Sequence, residues 1–329
     1  MRFGAIGTNF ISREFASAGK QLDDFSIQVV YSRRMQTAQA FAGRIGGAIC
    51  VTDLDQLAQS RDVDAVYIAS PNLFHFEQAE RMLRAGKHVL LEKPACIDAE
   101  KFSGLCALAK ENGVVLLEAM RPAFIPGFIA LKDALPQIGT VRRVSFTYCQ
   151  YSSRYDKYKQ GIIENAFDPT LGNGALMDIG VYCIHGLVAL FGLPLQVNAV
   201  AHKLANGLDG QGGVQCVYDG MLADLSWSKI ADHRRENEIQ GELGTLLIDS
   251  ITNPKKIVLI GRDQSEHTLY YDPSTEFFGM CHEIRAFMEF CCQPPGAEPW
   301  KPYHQITQDT LSLMDEIRRQ TGIDFKGQD

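Results

Sequence analysis

The first 120 residues alternate between short apolar runs and amphipathic stretches. The apolar runs have the length of buried strands and fall at 2–6, 27–31, 65–68, 88–91 and 114–117. The stretches between them carry apolar residues at helical spacing and fall at 11–18, 35–43, 75–85 and 99–111. Strands that alternate with helices in this way build βαβ units, in which the strands are parallel and the crossovers right-handed. The pattern therefore predicts an α/β domain around a parallel sheet.

A different pattern begins near Arg121-Pro122. A helix is predicted at 124–135, and longer strand-like runs follow it. Asp219-Gly220 lies between two such runs, which predicts a type I′ hairpin. Two helices, near 279–292 and 303–320, complete the chain. We therefore predict two domains, 1–121 and 122–329, of which the second is an α+β domain with mostly antiparallel strands.

Composition argues against several classes of protein. The chain of 329 residues has a net charge of −7 and no Lys/Arg cluster longer than a pair, which argues against a nucleic-acid binder. No apolar run approaches the ~20 residues of a membrane span. The nine cysteines form no CxxC pair, the eight histidines show no HExxH spacing, and the N-terminus MRFGAIG reads as a strand. We therefore expect a cytoplasmic protein with reduced cysteines and no metal site.

The segment GAIGTNFIS follows the first predicted strand and opens the first helix, where a dinucleotide fingerprint lies. On the template G-x-G-x-x-G/A it places Gly7, Asn9 and Ser12. Only the first glycine is present, although asparagine tolerates a left-handed φ and serine is small enough for close helix–strand packing. An ordinary βα turn without a ligand explains this stretch equally well.

The end of the second strand reads VVYSRR and supplies Ser32, Arg33 and Arg34. An NAD site places Asp or Glu here to bind the ribose 2′-hydroxyl. Two guanidinium groups suit a 2′-phosphate instead, because arginine binds phosphate bidentately. The alternative is a pair of solvated surface arginines, and the location favours the phosphate.

The stretch GNGALMDIGVYCIH, residues 172–185, is apolar apart from Asp178, Tyr182 and His185. At 100° per residue these three return to one face of an α-helix. Taken singly, the tyrosine can simply pack its ring, the histidine can be a core residue, and the aspartate can be a structural acceptor. Together they indicate a functional site, because burying several ionisable groups on one face is costly unless they are paired or used.

The pieces GAIGTNFIS, SPNLFH, GKHVLLEKP and GNGALMDIGVY occur in an order and spacing that resemble the Gfo/Idh/MocA family of nicotinamide-dependent oxidoreductases. The glucose–fructose oxidoreductase and dihydrodiol dehydrogenase branch is most similar, because Tyr182 stands where other members carry histidine. The resemblance implies an N-terminal Rossmann domain, a doubly wound parallel sheet, followed by a C-terminal α+β domain on a large open, mainly antiparallel sheet. It also implies a cofactor at the carboxyl ends of the parallel strands and a substrate between the domains.

The resemblance also implies roles for individual residues. The pyrophosphate turn would be lined by Gly7, Thr8, Asn9, Phe10 and Ile11, and the adenosine ribose would meet Ser32, Arg33 and Arg34. The cofactor would be flanked by Ala69, Pro71, Asn72 and His75. The nicotinamide end would meet Glu92, Lys93 and Pro94, with Arg121 near the same end. Asn9 in place of a glycine is the one departure from the family's turn.

Hydride chemistry at a hydroxyl or carbonyl group needs an acid or base beside the oxygen. A free tyrosine has a pKa of about 10, and a nearby ammonium lowers that value. Tyr182 is therefore the candidate acid/base. Lys93 is its candidate assistant and is also expected to bind the substrate through a hydrogen bond to the reacting oxygen. Asp178 is predicted to orient the substrate or pair with Lys93, and His185 to bind a substrate hydroxyl. In the loop 151–167, substrate contacts and a mobile surface loop are equal alternatives for Tyr151, Arg154, Tyr155, Asn165 and Phe167.

The leading hypothesis is an NADP(H)-dependent oxidoreductase, with NAD(H) also possible, that acts on a sugar, polyol, diol or related carbonyl compound. The alternative is a non-catalytic NAD(P)-binding redox sensor or scaffold. The presence of both Lys93 and Tyr182 favours the enzyme, since a binding protein does not need the pair. A homodimer through the open sheet is also expected, because strands such as VQCVYDGMLADLSW place apolar residues on both faces.

Overall fold

The computed structural model describes residues 1–274, 279–294 and 296–325. They form two compact units, of which the first is Met1–Arg121 with Phe278–Gln308 and the second Pro122–Phe277 with Asp309–Asp329. One break therefore follows Arg121, where the sequence pattern changes. The division differs from the predicted 1–121 and 122–329 because Phe278–Gln308 packs with the first unit. Aromatic packing contributes to this, since the Phe287 ring lies 6.0 Å from that of Phe3.

The first unit is built on six strands and five helices before residue 121. In chain order these are β1 (Arg2–Ile6), α1 (Phe10–Gly19), β2 (Ser26–Tyr31), α2 (Met35–Ile45), β3 (Ile49–Val51), α3 (Leu54–Ala58), β4 (Ala65–Ile68), α4 (His75–Arg84), β5 (His88–Glu92), α5 (Ala99–Glu111) and β6 (Leu116–Ala119). The strands are all parallel, in the order β3-β2-β1-β4-β5-β6. This is the predicted doubly wound sheet, and its order reverses between β1 and β4, where such sheets bind ligands.

The remaining elements include eight further strands. They are α6 (Pro126–Ala134), β7 (Val141–Cys149), α7 (Tyr155–Lys159), α8 (Val181–Phe191), β8 (Gln196–Lys203), β9 (Asp209–Tyr218), β10 (Met221–Ser228), β11 (Asn237–Gly241), β12 (Gly244–Ile248), β13 (Lys256–Gly261), β14 (Glu266–Tyr271), α9 (Met280–Cys291) and α10 (Lys301–Thr321). The strands form one sheet in the order β14-β13-β12-β11-β7-β10-β9-β8. Within the part of the chain that the structure describes, only β7 and β10 of this sheet pair in parallel, which confirms the predicted mainly antiparallel sheet.

The hairpin predicted at Asp219-Gly220 joins β9 to β10. Its turn is not type I′, because Gly220 has a φ of +72° whereas Asp219 is not among the residues with positive φ. A type I′ turn needs a positive φ at both central residues. The glycine alone takes the left-handed conformation here, which spares the aspartate the steric cost of its Cβ.

The large sheet buries one face. Along β10, Met221, Ala223, Leu225 and Trp227 are buried. Between them, Leu222 is exposed, and Asp224 and Ser226 are half-buried. The opposite face is mixed: Leu222 is 47% exposed, and Asp224 pairs with Arg143 of β7. The expectation of apolar residues on both faces of this strand is therefore met at Leu222 alone, because the other two residues on its open face are Asp224 and Ser226.

Candidate functional site

The turn after β1 has the geometry of a close backbone approach. Gly7 has a φ of +106°, and a Cβ there would lie 2.6 Å from the carbonyl oxygen of Ala69. Any other residue would be strained at this position. The turn leads directly into the N-terminus of α1, and the amides of a helix N-terminus suit a phosphate group. The residues present therefore fit the pyrophosphate of a dinucleotide.

Asn9 does not use a left-handed conformation, because its φ is −81° and its ψ −170°. It is the N-cap of α1: Oδ1 accepts hydrogen bonds from the Ser12 amide and hydroxyl, each at 3.1 Å. Its Nδ2 donates to the Ala69 carbonyl at 3.0 Å. The side chain that replaces a family glycine thus ties the turn to the end of β4 and contributes a cap.

The arginines after β2 are exposed, as a site for a solvent-facing phosphate requires. The Arg33 guanidinium lies 5.9 Å from the centre of the Phe74 ring. Arg34 is the N-cap residue of α2. No carboxylate occurs among residues 32–34. Two cations therefore lie at the position predicted for the adenosine ribose of the cofactor, and one of them is beside an aromatic ring.

Of the residues after β4, Ala69 and His75 are buried, and Pro71 and Asn72 are half-buried. The two ring nitrogens of His75 lie 2.9 Å from the Ser70 carbonyl and 3.0 Å from the Pro94 carbonyl. Burial lowers the pKa of His75. Since His75 is fully buried, it holds the end of β4 to the segment after Lys93. It does not lie at a surface that a cofactor can reach, contrary to the expectation.

Lys93 follows the end of β5 and is half-buried. Glu92, before it, accepts a hydrogen bond from the Tyr67 hydroxyl at 2.6 Å and another from the Lys93 amide at 3.2 Å. Burial raises the pKa of Glu92. The carboxyl group therefore anchors the strand end that presents Lys93.

Two further buried glutamates surround this segment, and sequence reasoning missed both. Glu118, which is 4% exposed, accepts hydrogen bonds from the Ala95 amide and the Thr307 hydroxyl, each at 2.8 Å. Burial raises its pKa to about 7. Burial also raises the pKa of Glu283 well above its usual range, against an opposing effect of the Arg121 charge. A glutamate within the apolar run VVLLEAM was the available signal for Glu118.

In the second unit the polar stripe does not lie on one regular α-helix. Leu176–Gly180 forms a π-turn, and α8 begins after it. Asp178 is half-exposed, Tyr182 is half-buried with its ring 5.9 Å from that of Tyr148, and His185 is 2% exposed. A π-turn holds one extra residue, so the spacing of four and seven no longer gives a single face.

His185 belongs to the core of the second unit. Its ring lies 6.1 Å from that of Phe128, and burial lowers its pKa to about 4, so that it is neutral at pH 7. Among the described residues its Nδ1 has no hydrogen-bond partner. The role predicted for His185 as a substrate ligand does not agree with this burial.

Asp178 pairs with Lys229, a residue that sequence reasoning missed. Lys229 follows β10, and its Nζ donates to Asp178 Oδ2 at 2.6 Å. The lysine side chain is only 5% exposed. The amide of Leu176, at the start of the π-turn, donates to the buried Asp209 at 2.6 Å. Because the pairing joins segments about fifty residues apart in the sequence, no local motif predicts it.

The loop 151–167 contains an aromatic cluster. The ring of Tyr158 lies 6.0 Å from that of Tyr155 and 5.4 Å from that of Phe167. Asn165 is exposed, and its carbonyl oxygen accepts from the Asn173 side chain. A pocket of about 280 Å³ brings part of this loop, including Tyr151 and Arg154, together with Asp178 and Lys229.

Among the described residues there is no helix long and apolar enough to cross a membrane. In the same residues no group of three or more His, Cys, Asp or Glu side chains is placed to hold a metal ion.

Comparison with known proteins gives the same architecture. Residues 1–120 match the model described as "Oxidoreductase family, NAD-binding Rossmann fold", and residues 133–247 the model "GFO/IDH/MocA C-terminal domain". The chain is 43% identical to scyllo-inositol 2-dehydrogenase (NADP(+)) IolU of Bacillus subtilis, over 98% of each chain. It is 25% identical to the bovine trans-1,2-dihydrobenzene-1,2-diol dehydrogenase over 99% of this chain and 98% of the other.

The structure of KijD10, a 3-ketoreductase from Actinomadura kijaniata in complex with NADP and TDP-benzene, covers 98% of both chains at 26% identity, with a TM-score of 0.84. The parallel sheet with its glycine turn, the large open sheet and these relatives together identify an NAD(P)-dependent oxidoreductase. The chain belongs to the Gfo/Idh/MocA family, which confirms the resemblance seen in its sequence.

Proposed function

We propose that the protein is an NADP(H)-dependent oxidoreductase that transfers hydride to or from a sugar, polyol, diol or related carbonyl compound. The observation that carries this proposal is the 43% identity, over 98% of both chains, with a scyllo-inositol 2-dehydrogenase that uses NADP(+). The KijD10 reductase, which binds NADP, supports the same cofactor.

The cofactor residues proposed from the sequence are retained with one exception. The pyrophosphate would lie against Gly7, Thr8, Asn9, Phe10 and Ile11, and the 2′-phosphate against Ser32, Arg33 and Arg34. Ala69, Pro71 and Asn72 would flank the cofactor, and Glu92, Lys93, Pro94 and Arg121 would serve the nicotinamide end. His75 is a positioning residue instead, because it is fully buried. When bound, the nicotinamide supplies or accepts the hydride.

Tyr182 is proposed to donate or accept the proton at the reacting oxygen, and Lys93 to stabilise its phenolate. Asp178 is proposed to orient the substrate, with Asn165 as a further contact. Two features support these roles: the Asp178 carboxylate reaches a pocket, and the strand end that presents Lys93 is braced by buried Glu92. His185 has no direct role in this scheme because of its burial.

A substrate screen tests the proposal. Cyclitols, sugars and diols are offered with NADP⁺, and the corresponding carbonyl compounds with NADPH, while the absorbance of NADPH is followed. We expect turnover with at least one polyol or sugar and a lower KM for NADP(H) than for NAD(H). Tight NADPH binding without turnover of any compound in either direction contradicts the proposal.

A homodimer and a cytoplasmic location are proposed alongside this activity. Exposed apolar side chains, among them Val200 at 73% and Leu222 at 47%, interrupt the polar residues of the large sheet's open face and support a contact there. The nine cysteines are free thiols, which suits a reducing compartment. Sedimentation at micromolar concentration tests the dimer, and a purely monomeric protein contradicts it.

A further inference from the structure

Lys229 is a buried cation at the edge of a pocket in the second unit. Its backbone is fixed on both sides, because its amide donates to the Gly210 carbonyl at 2.9 Å and its carbonyl accepts from the Ser152 amide at 2.9 Å. Its Nζ lies between the Asp178 carboxylate, at 2.6 Å, and the Phe167 ring, whose centre is 5.3 Å away. The ammonium is therefore held in one place rather than free to follow a ligand.

The hydrogen-bonding capacity of this ammonium is not exhausted. An ammonium has three N–H donors. Among the described residues, Lys229 Nζ donates to Asp178 Oδ2 and, at a long 3.5 Å, to the Ala166 carbonyl. At least one donor remains for an oxygen in the pocket. Asp178 brings a carboxylate, which only accepts, to the same pocket.

A donor-only group next to an acceptor-only group matches a hydroxyl, because a hydroxyl can accept from the ammonium while it donates to the carboxylate. Apart from Ile179, the rest of the pocket wall carries polar side chains. The pocket of about 280 Å³ is lined by side chains that include Gln150, Ser152, Ser153, Arg154, Asp178 and Lys229.

The cations around the pocket have carboxylate partners. Lys229 pairs with Asp178, Arg154 lies 3.8 Å from Glu164, and Lys159 pairs with Asp156 at 2.7 Å. Glu164 also pairs with Lys157 at 2.7 Å. Recognition of phosphate relies on cations free to make charge-assisted hydrogen bonds. Of the two cations that line the pocket, Lys229 is paired at hydrogen-bond distance and Arg154 lies near a carboxylate, so the charge they present to a ligand is offset, which favours an uncharged ligand.

We propose that this pocket is the substrate subsite for an uncharged polyhydroxylated ring, with Lys229 as a binding residue that donates to a ring hydroxyl while it fixes the Asp178 carboxylate. This inference rests on the proposed oxidoreductase function and narrows its substrate class to free cyclitols or sugars, as opposed to nucleotide-linked sugars.

Two probes separate the inference from the function on which it rests. Binding of scyllo-inositol and of dTDP-glucose to the NADP⁺-loaded protein is measured by calorimetry, and turnover is measured in parallel. We expect scyllo-inositol to bind and dTDP-glucose neither to bind nor to compete. Turnover of dTDP-glucose without binding of the cyclitol overturns the subsite but leaves the oxidoreductase standing. Absence of turnover with the whole substrate panel overturns the oxidoreductase itself.

The lysine is tested by Lys229→Met, with Lys203→Met as the matched control. Lys203 is an exposed lysine of the same unit whose Nζ donates to the Gly322 carbonyl, away from the pocket residues. We expect Lys229→Met to raise the KM for the cyclitol at least about tenfold, the worth of a charged hydrogen bond. The Kd for NADPH should remain within about twofold in both variants.

Unchanged kcat and KM in a folded Lys229→Met protein overturn the role of the lysine. If that variant does not fold, Lys229→Gln carries the test, since its amide retains a donor for Asp178 without the charge. A KM raised by about tenfold in this variant supports the proposal, and a wild-type KM contradicts it. Restoration of the KM by Lys229→Arg further distinguishes a charged contact from a packing effect.

Discussion

The two units hold their candidate residues in different ways. In the first unit, Asn9 donates to the Ala69 carbonyl and His75 lies against two carbonyl groups, while Glu92 also accepts from the Tyr67 hydroxyl. In the second unit, side chains from separate segments bind each other, as Lys229 and Asp178 do. The first arrangement fixes a backbone surface, and the second fixes a particular charge.

This difference separates the expected effects of substitution. A backbone surface suits a cofactor that is bound through amide groups and shape, whereas fixed charges suit proton transfer and the recognition of hydroxyl groups. Changes to the first-unit side chains that hold the main chain should therefore alter cofactor affinity or stability, and Lys93, which is also proposed to assist Tyr182, should alter turnover as well. Changes in the second unit should alter turnover while the cofactor still binds.

The largest expected effect is that of Tyr182→Phe in the second unit. The variant keeps the ring and its contact with Tyr148, so folding and NADPH binding should persist. Turnover should fall by roughly 10²–10⁴, the usual worth of a positioned acid or base. Steady-state rates, with circular dichroism and NADPH titration as controls, measure it. A Phe variant with nearly wild-type turnover ends the proposed role.

Lys93→Met provides the counterpart in the first unit. Turnover should again fall steeply, and the basic limb of any residual pH–rate profile should move upward, because the ammonium no longer favours a phenolate. Since Lys93 is also a proposed cofactor contact, NADPH affinity is measured separately. Lost affinity with unchanged kcat would assign the lysine to cofactor binding alone.

The pH dependence of the free energy of unfolding tests the comparison further, beginning with Glu118 of the first unit. Burial raises its pKa from 4.5 to about 7. The folded state therefore retains a proton that the unfolded chain has lost, and stability falls as pH rises from about 4.5 to 7. Glu118→Gln, which cannot ionise, should remove about 3 kcal/mol of this fall. Denaturant unfolding at several pH values measures the slope.

The matched variant in the second unit is His185→Phe. Burial lowers the pKa of His185 from 6.5 to about 4. Its contribution to the free energy of unfolding is therefore full above pH 6.5 and is lost as pH falls toward 4. The two variants should thus remove pH dependences of opposite sign. Equal slopes in both variants and in the wild type would show that neither group titrates on unfolding.

Arg33→Ala should change cofactor preference by a smaller amount. Loss of a charge-assisted hydrogen bond to the 2′-phosphate should weaken NADPH binding by about 1.5–3 kcal/mol. NADH binding, which involves no such phosphate, should hardly change, and Arg44→Ala, on the same unit, is the control. Tighter binding of NADH than of NADPH by the wild type would contradict the assigned preference.

The smallest effect is expected for Asn9→Gly, which restores the family glycine. Glycine costs only a few tenths of a kcal/mol as an N-cap, and the lost bond to Ala69 adds about 1 kcal/mol. Thermal unfolding measures the loss, and Ser17→Gly, near the other end of α1, shows the general cost of glycine in that helix. A stabilised Asn9→Gly protein would contradict the bracing role of the asparagine.

Much of the first unit was predictable because most of its strands and helices produce a recognisable local pattern in the sequence. The strands β1, β2, β4 and β5 fall close to the predicted runs, and Gly7 has the positive φ that its turn implies. The strand β3 and the helix α3 were not predicted, because elements of three and five residues are too short to show a period.

The second unit was predictable in class but not in detail. The mainly antiparallel sheet and its hairpin follow from the sequence, whereas the pair Lys229–Asp178 does not, because its members meet only after the sheet has formed. The same holds for Glu118, whose partner Thr307 lies 189 residues away. The π-turn changes the position of Asp178 relative to α8, whereas His185 differs from the prediction because its side of α8 packs into the core of the unit.

The π-turn at Leu176–Gly180 also makes the length of this segment consequential. Its wider ring accommodates one residue more than an α-helical turn, so deletion of one residue there lets the chain continue as a regular helix. Everything on the N-terminal side would then rotate by about 100° and shift by about 1.5 Å relative to α8. Asp178 would leave Lys229 while Tyr182 stayed in place. A deletion of one residue at this point can therefore move Asp178 away from Lys229 while both side chains are retained, which no substitution can do.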